Sequence, residues 1–121
     1  RISKKMCAKK RIVIITPAKR YFLFLSSLFE GGNIIHLDTF SQTQAESADA
    51  IITTPANDLK FYETHFRSIA DKGNGTKFFS IVETVEEKTL AKNSGSHFTY
   101  QNPLNINQLV SDFTSIFSPG V

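Results

Sequence analysis

Arg11-Ile12-Val13-Ile14-Ile15, followed at once by Thr16-Pro17, is the stretch on which the fold turns. A continuous β-branched run without polar alternation marks a strand covered on both faces, as in a parallel sheet. Thr16 suits a helix N-cap, and Pro17 suits the first turn, where no amide hydrogen is needed. Tyr21, Phe22, Leu25, Leu28 and Phe29 then recur at three- and four-residue spacing, giving an apolar helical stripe that Gly31-Gly32 ends.

The same strand-then-helix unit recurs downstream. Asn33 to Leu37, Ala50 to Thr53, Lys77 to Val82 and Phe98 to Tyr100 read as further strands. A short polar segment lies around Ser41 to Ala48. Asn57-Asp58 caps a helix whose inner face is Leu59, Tyr62, Phe66 and Ile69. Glu86 to Asn93 forms another helix, and Ile106 to Phe117 a last one with Leu109, Val110, Phe113 and Phe117 inward. Strands alternating with helices at this spacing argue for an α/β fold with a parallel sheet covered on both faces. In a domain this small, the pattern predicts a flavodoxin-like three-layer sandwich with five strands in the order 2-1-3-4-5.

At 121 residues the chain supports one core, and its 40% apolar and 21% charged residues are those of a globular domain. Eleven Phe and no Trp imply a core built mainly on phenyl rings. Residues 1–10 lack periodicity and read as a basic linker, leaving 11–121 as the folded domain. Lys4, Lys5, Lys9, Lys10, Arg11, Lys19 and Arg20 supply half of all the cations; the remainder has seven basic against eleven acidic residues. A mildly acidic body argues against a nucleic-acid-binding module, and no apolar run is long enough to cross a bilayer. The lone Cys7 excludes an internal disulfide and fits a cytoplasmic setting. The chain begins with Arg1 and reads as a piece of a longer protein.

The most specific stretch is Thr89-Leu90-Ala91-Lys92-Asn93-Ser94-Gly95, then Phe98-Thr99-Tyr100-Gln101-Asn102-Pro103-Leu104. It resembles the end of response-regulator receiver domains, where a helix closes on small residues, a strand follows and a Lys-Pro pair precedes the last helix. The spacing from Gly95 to Asn102 is the family's glycine-to-lysine spacing, and the resemblance covers residues 11 to 117. Active receivers hold Mg²⁺ with acidic side chains beside a phosphate-accepting aspartate, since a hard cation takes oxygen ligands. A lysine neutralises the phosphoryl charge, and a Thr or Ser senses it.

The resemblance maps those positions onto residues that cannot do this chemistry. The acidic pair falls on Thr16 and Pro17, the acceptor on Thr54, the lysine on Asn102, the sensing hydroxyl near Thr84 and the aromatic switch on Thr99. No metal site and no cofactor are expected. Asp58, four residues beyond Thr54, and Asp38, at the end of the second strand, are the substitute acids an unorthodox phosphoacceptor would use; helix capping and a polar turn are their ordinary roles. His36, His65 and His97 show no metal spacing, with His36 expected as a packed or edge residue. Gly73-Asn74-Gly75-Thr76 lacks the Lys-Ser/Thr ending of a phosphate loop. Asn57, Asp58, Thr16 and Thr84 would line a small-ligand crevice at the strand ends.

The resemblance therefore implies a degenerate receiver, or pseudo-receiver, of a two-component protein such as a hybrid sensor histidine kinase. It implies no enzymatic activity of the domain itself. Its partners are expected to be other domains of the parent kinase or a phosphorelay protein, with neither nucleic acid nor membrane contacted. Receivers commonly bind partners through the helix before the fifth strand, that strand and the last helix. Lys88, Lys92, Gln101, Asn107, Gln108 and Ser111 fall on that face here. An atypical phosphoacceptor, a small-ligand domain and a nucleic-acid module led by the basic arm are the alternative readings.

Overall fold

A computed structural model describes residues 10–39, 47–54 and 75–117. Within them run β1 (Arg11–Ile15), α1 (Lys19–Ser26), β2 (Asn33–Leu37), β3 (Ala50–Thr53), β4 (Lys77–Val82), α2 (Val85–Asn93), β5 (Phe98–Gln101) and α3 (Ile106–Phe117). The five strands form one sheet in the order β2-β1-β3-β4-β5 with every pairing parallel, the predicted topology. The basic arm with Cys7, the helix expected from Asn57-Asp58 and its His65 lie outside the described residues.

Side chains alternate between the two faces of a strand, so β1 feeds two cores. Ile12 and Ile14 join Leu25 and Phe29 of the first strand–helix unit, Ile52, Phe79, Ile81 and the inward Leu109 and Phe113 of α3. Val13 and Ile15 face the other way, with Ile51, Phe78, Val82 and Ala91 of α2. Helices therefore cover both faces. The ring-based core is present: Phe113 sits 4.9 Å from Phe29, 5.9 Å from Phe79 and 4.6 Å from Phe117, centroid to centroid. Tilted rings at these separations add attraction beyond the area they bury.

The sheet's amino-terminal end is pinned by Asp49. Its carboxylate accepts the Arg11 amide at 2.8 Å, its own amide donates to the Arg11 carbonyl, and its carbonyl accepts from Lys77. On the edge, His97 donates its backbone amide to the Phe78 carbonyl, and its Nδ1 accepts the Phe78 amide at 3.0 Å. The imidazole thus completes the β4 ladder where the β5 backbone has not yet begun to pair.

Both boundaries of α1 differ from the sequence reading. Thr16 is not the cap of α1; the cap position is Ala18, and the Thr16 hydroxyl instead accepts the Ala18 amide at 3.1 Å in a local turn. Pro17 lies in that turn and outside the helix. Leu28 and Phe29 are buried as expected, yet α1 ends at Ser26, because Ser26 and Ser27 turn their hydroxyls back onto the carbonyls of Leu23 and Phe24 and compete with the helical ladder.

Candidate functional site

In an open parallel sheet, ligands meet the carboxyl ends of the strands, where the connections splay apart. Those ends here carry Thr16, Thr54, Glu83 and Asn102. Thr16 is fully buried and committed three ways: its amide donates to the Leu37 carbonyl, its carbonyl accepts from His36 Nε2 at 2.9 Å, and its hydroxyl accepts from Ala18. A carbonyl can only accept, so His36 carries its proton on Nε2. The ring stacks 4.4 Å from Phe22 and ties the β2 edge to α1, which is the packed edge role expected of it. Pro17 is exposed and has no side-chain ligand to offer.

Thr54 closes β3 with 1% of its surface exposed, and Thr53 beside it is fully buried. Neither offers a carboxylate. Asn102 lies between two elements. Its amide Nδ2 donates to Glu83 Oε1 at 2.9 Å, its Oδ1 faces the Tyr21 hydroxyl at 3.4 Å, and its backbone amide donates to the Val82 carbonyl. The bond to Pro103 is cis. Burial raises the Tyr21 hydroxyl above its ordinary range, the Asn102 hydrogen bond opposes this, and the Glu83 charge adds to it. The hydroxyl remains a donor at neutral pH.

Thr84 occupies the N-cap of α2. Its hydroxyl accepts the Glu87 amide at 3.1 Å and donates to Glu87 Oε1 at 3.0 Å, while that carboxylate also takes the Thr84 amide. This is a reciprocal capping box, so the hydroxyl is spent on the helix start. Asp38 is 79% exposed and its carboxylate lies 3.5 Å from His36 Nε2. Asn57 and Asp58, which would line a small-ligand crevice together with Thr16 and Thr84, lie outside the described residues. Among the described residues no three His, Cys, Asp or Glu side chains cluster as a metal-binding group.

Of the predicted partner-facing residues, Lys92, Gln101, Asn107, Gln108 and Ser111 are exposed, and Lys88 is half-buried. They come from α2, the end of β5 and the start of α3. Sequence reasoning missed Glu83 and the functional side of Tyr21. Glu83 directly follows β4, a signal visible in the chain; Tyr21 was absorbed into the apolar stripe.

An open groove of about 380 Å³ runs beside Asn102, between α1 and the approach to α3. Phe24 and Ile106 at its walls are 42% and 37% exposed, and Leu23, the next residue along α1, is 56% exposed. No helix among the described residues is long and apolar enough to cross a membrane.

No protein-family model matches the sequence, and no curated protein does. Solved structures do. A pilus assembly-related protein of Burkholderia pseudomallei matches with a TM-score of 0.73 at 10% identity, over 90% of each chain. The receiver domain of a Francisella response regulator matches at 0.63 and 16% identity, over 90% of this chain and 97% of that one. The receiver domain of Saccharomyces cerevisiae Ssk1, solved with the histidine phosphotransfer protein Ypd1, matches at 0.66 and 13%, over 91% and 90%. The chain has the fold of response-regulator receiver domains.

Proposed function

We propose that this chain is a non-phosphorylatable receiver-like domain of a two-component signalling protein, specifically a hybrid sensor histidine kinase, and that it acts by protein–protein interaction. The observation that carries the reading is the set of side chains at the strand ends. Where a phosphotransfer site holds metal-binding acids, this chain has Thr16 and Pro17; where it holds an acceptor carboxylate and a free ammonium group, it has Thr54 and an Asn102 bonded to Glu83. The metal ligands, the acceptor and the cation are replaced together, which leaves the fold without its chemistry and with its surface.

Yeast Ssk1 was solved with a phosphotransfer protein bound to its receiver domain, and a partner of that kind, or a neighbouring module of the same polypeptide, fits the role. The docking face we assign is the edge of the sheet carrying Lys88 and Lys92 of α2, Gln101 of β5, and Asn107, Gln108 and Ser111 of α3. The domain is cytoplasmic in this reading and has no enzymatic activity of its own. Titrating the isotope-labelled chain with beryllofluoride and Mg²⁺, a phosphoryl mimic, tests the emptied site. The expected result is no chemical-shift change at Thr16, Thr54 or Asn102; saturable shifts there would refute it. A dimerisation-and-ATPase region, or an intact receiver, encoded beside this segment would support the hybrid-kinase placement.

A further inference from the structure

We infer that the groove between α1 and the approach to α3 is a binding site for a small amphiphilic monocarboxylate. Its walls are apolar, formed by Ala18, Phe24, Leu104 and Ile106, and its polar groups lie at Arg20, Tyr21 and Asn102. A volume of about 380 Å³ lies within the roughly 300–1,000 Å³ of small-molecule sites. Such sites combine apolar walls with a few convergent polar groups, the arrangement found here.

The polar groups define the ligand's head. Arg20 is exposed, lines the groove and makes no ion pair among the described residues, so its guanidinium fork is open to an anion. Exposed Lys19 adds a second positive charge next to it in sequence. The Tyr21 hydroxyl is a donor held only by a 3.4 Å contact to Asn102 Oδ1, near the limit of a useful hydrogen bond. A carboxylate oxygen at 2.7 Å would be the better acceptor. The acid closest in the network, Glu83, does not line the groove, and its carboxylate is taken by the Asn102 amide. With asparagine here, the positive charge facing a head group is supplied by α1 alone, through Arg20 and its neighbour Lys19, and the Glu83 charge behind Asn102 opposes it in part.

The volume of the groove and its single polar end favour a small molecule as the occupant here. A stable protein contact buries about 800 Å² on each side. Among the described residues, Leu23, next to Phe24 on α1, is a further exposed large apolar residue. The patch accommodates the apolar body of a small molecule.

The test uses the whole 121-residue chain, isotope-labelled, with 4-phenylbutyrate and its uncharged amide as probes. The acid is expected to shift the backbone signals of Tyr21, Phe24, Leu104 and Ile106 saturably, with a dissociation constant on the order of 1 mM or below. The amide should bind about tenfold more weakly, and Arg20→Gln should bring the acid down to the level of the amide. Both Arg20 and Phe24 are exposed, so Arg20→Gln and Phe24→Ala keep the fold; the latter should weaken both probes. No saturable shift, shifts confined to another face, or equal binding of acid and amide would overturn the assignment. An acidic amphipathic helical peptide that occupies the groove while both small probes fail would overturn it as well.

Discussion

Asn102 and Tyr100 show how single side chains decide what the carboxyl-terminal end of this sheet can do. A lysine at position 102 would bring a mobile ammonium group; the asparagine brings a donor and an acceptor on a short stem, and both face neighbours, Glu83 and Tyr21. Two residues earlier, Tyr100 is 7% exposed, and its hydroxyl donates to Asp112 Oδ2 at 2.8 Å. Burial, then the hydrogen bond to Asp112 and its negative charge, push the Tyr100 hydroxyl far above its ordinary 10.0. A group held protonated in the fold stabilises it fully below the unfolded value and loses that contribution as pH rises past it. Tyr100→Phe should therefore cost about 1 kcal/mol at pH 7 and shrink the loss of stability above pH 10. Urea denaturation at pH 7, 9 and 11 checks both; an unchanged alkaline slope would show that the Asp112 bond does not form.

At the level of elements, two polar devices hold helix and strand ends. The capping box at Thr84 satisfies amides that the first turn of α2 leaves without partners. Thr84→Ala is expected to lower stability by about 1 kcal/mol, with Thr84→Ser close to the parent, read by chemical denaturation. His97 works the other way in pH. Burial first, and the Lys77 charge second, lower it below its ordinary 6.5, and its Nδ1 must be unprotonated to accept the Phe78 amide. Its contribution is present above pH 6.5 and is lost as pH falls through the folded value. His97→Asn keeps an acceptor that does not titrate, so the decline in stability between pH 7 and 5 should flatten; a slope identical to the parent's would contradict the role. Such devices explain what the sequence did and did not disclose. The β-branched run within Arg11–Ile15 and the Leu109, Val110, Phe113 stripe of α3 declared strand and helix, because burial on both faces makes a strand continuously apolar and burial on one face gives a helix a period of 3.6. The start of α1 was misread, since a threonine before a proline serves a cap and a local turn equally well in sequence. The Glu83–Asn102–Tyr21 chain joins residues up to 81 positions apart, and only the closing of the sheet brings them together.

For the molecule as a whole, the two cores on either side of β1 secure the fold without help from the strand ends. On the proposed reading, that region can carry Thr16, Thr54 and Asn102 without loss of the sheet, and the surface persists without phosphotransfer chemistry. The central claim is that no phosphoryl group is taken up. Incubation of the full chain with acetyl phosphate and Mg²⁺, followed by intact-mass measurement, tests it most directly. The account predicts an unchanged mass; a stable phosphoryl adduct that disappears in Asp38→Ala or Asp58→Ala would contradict it.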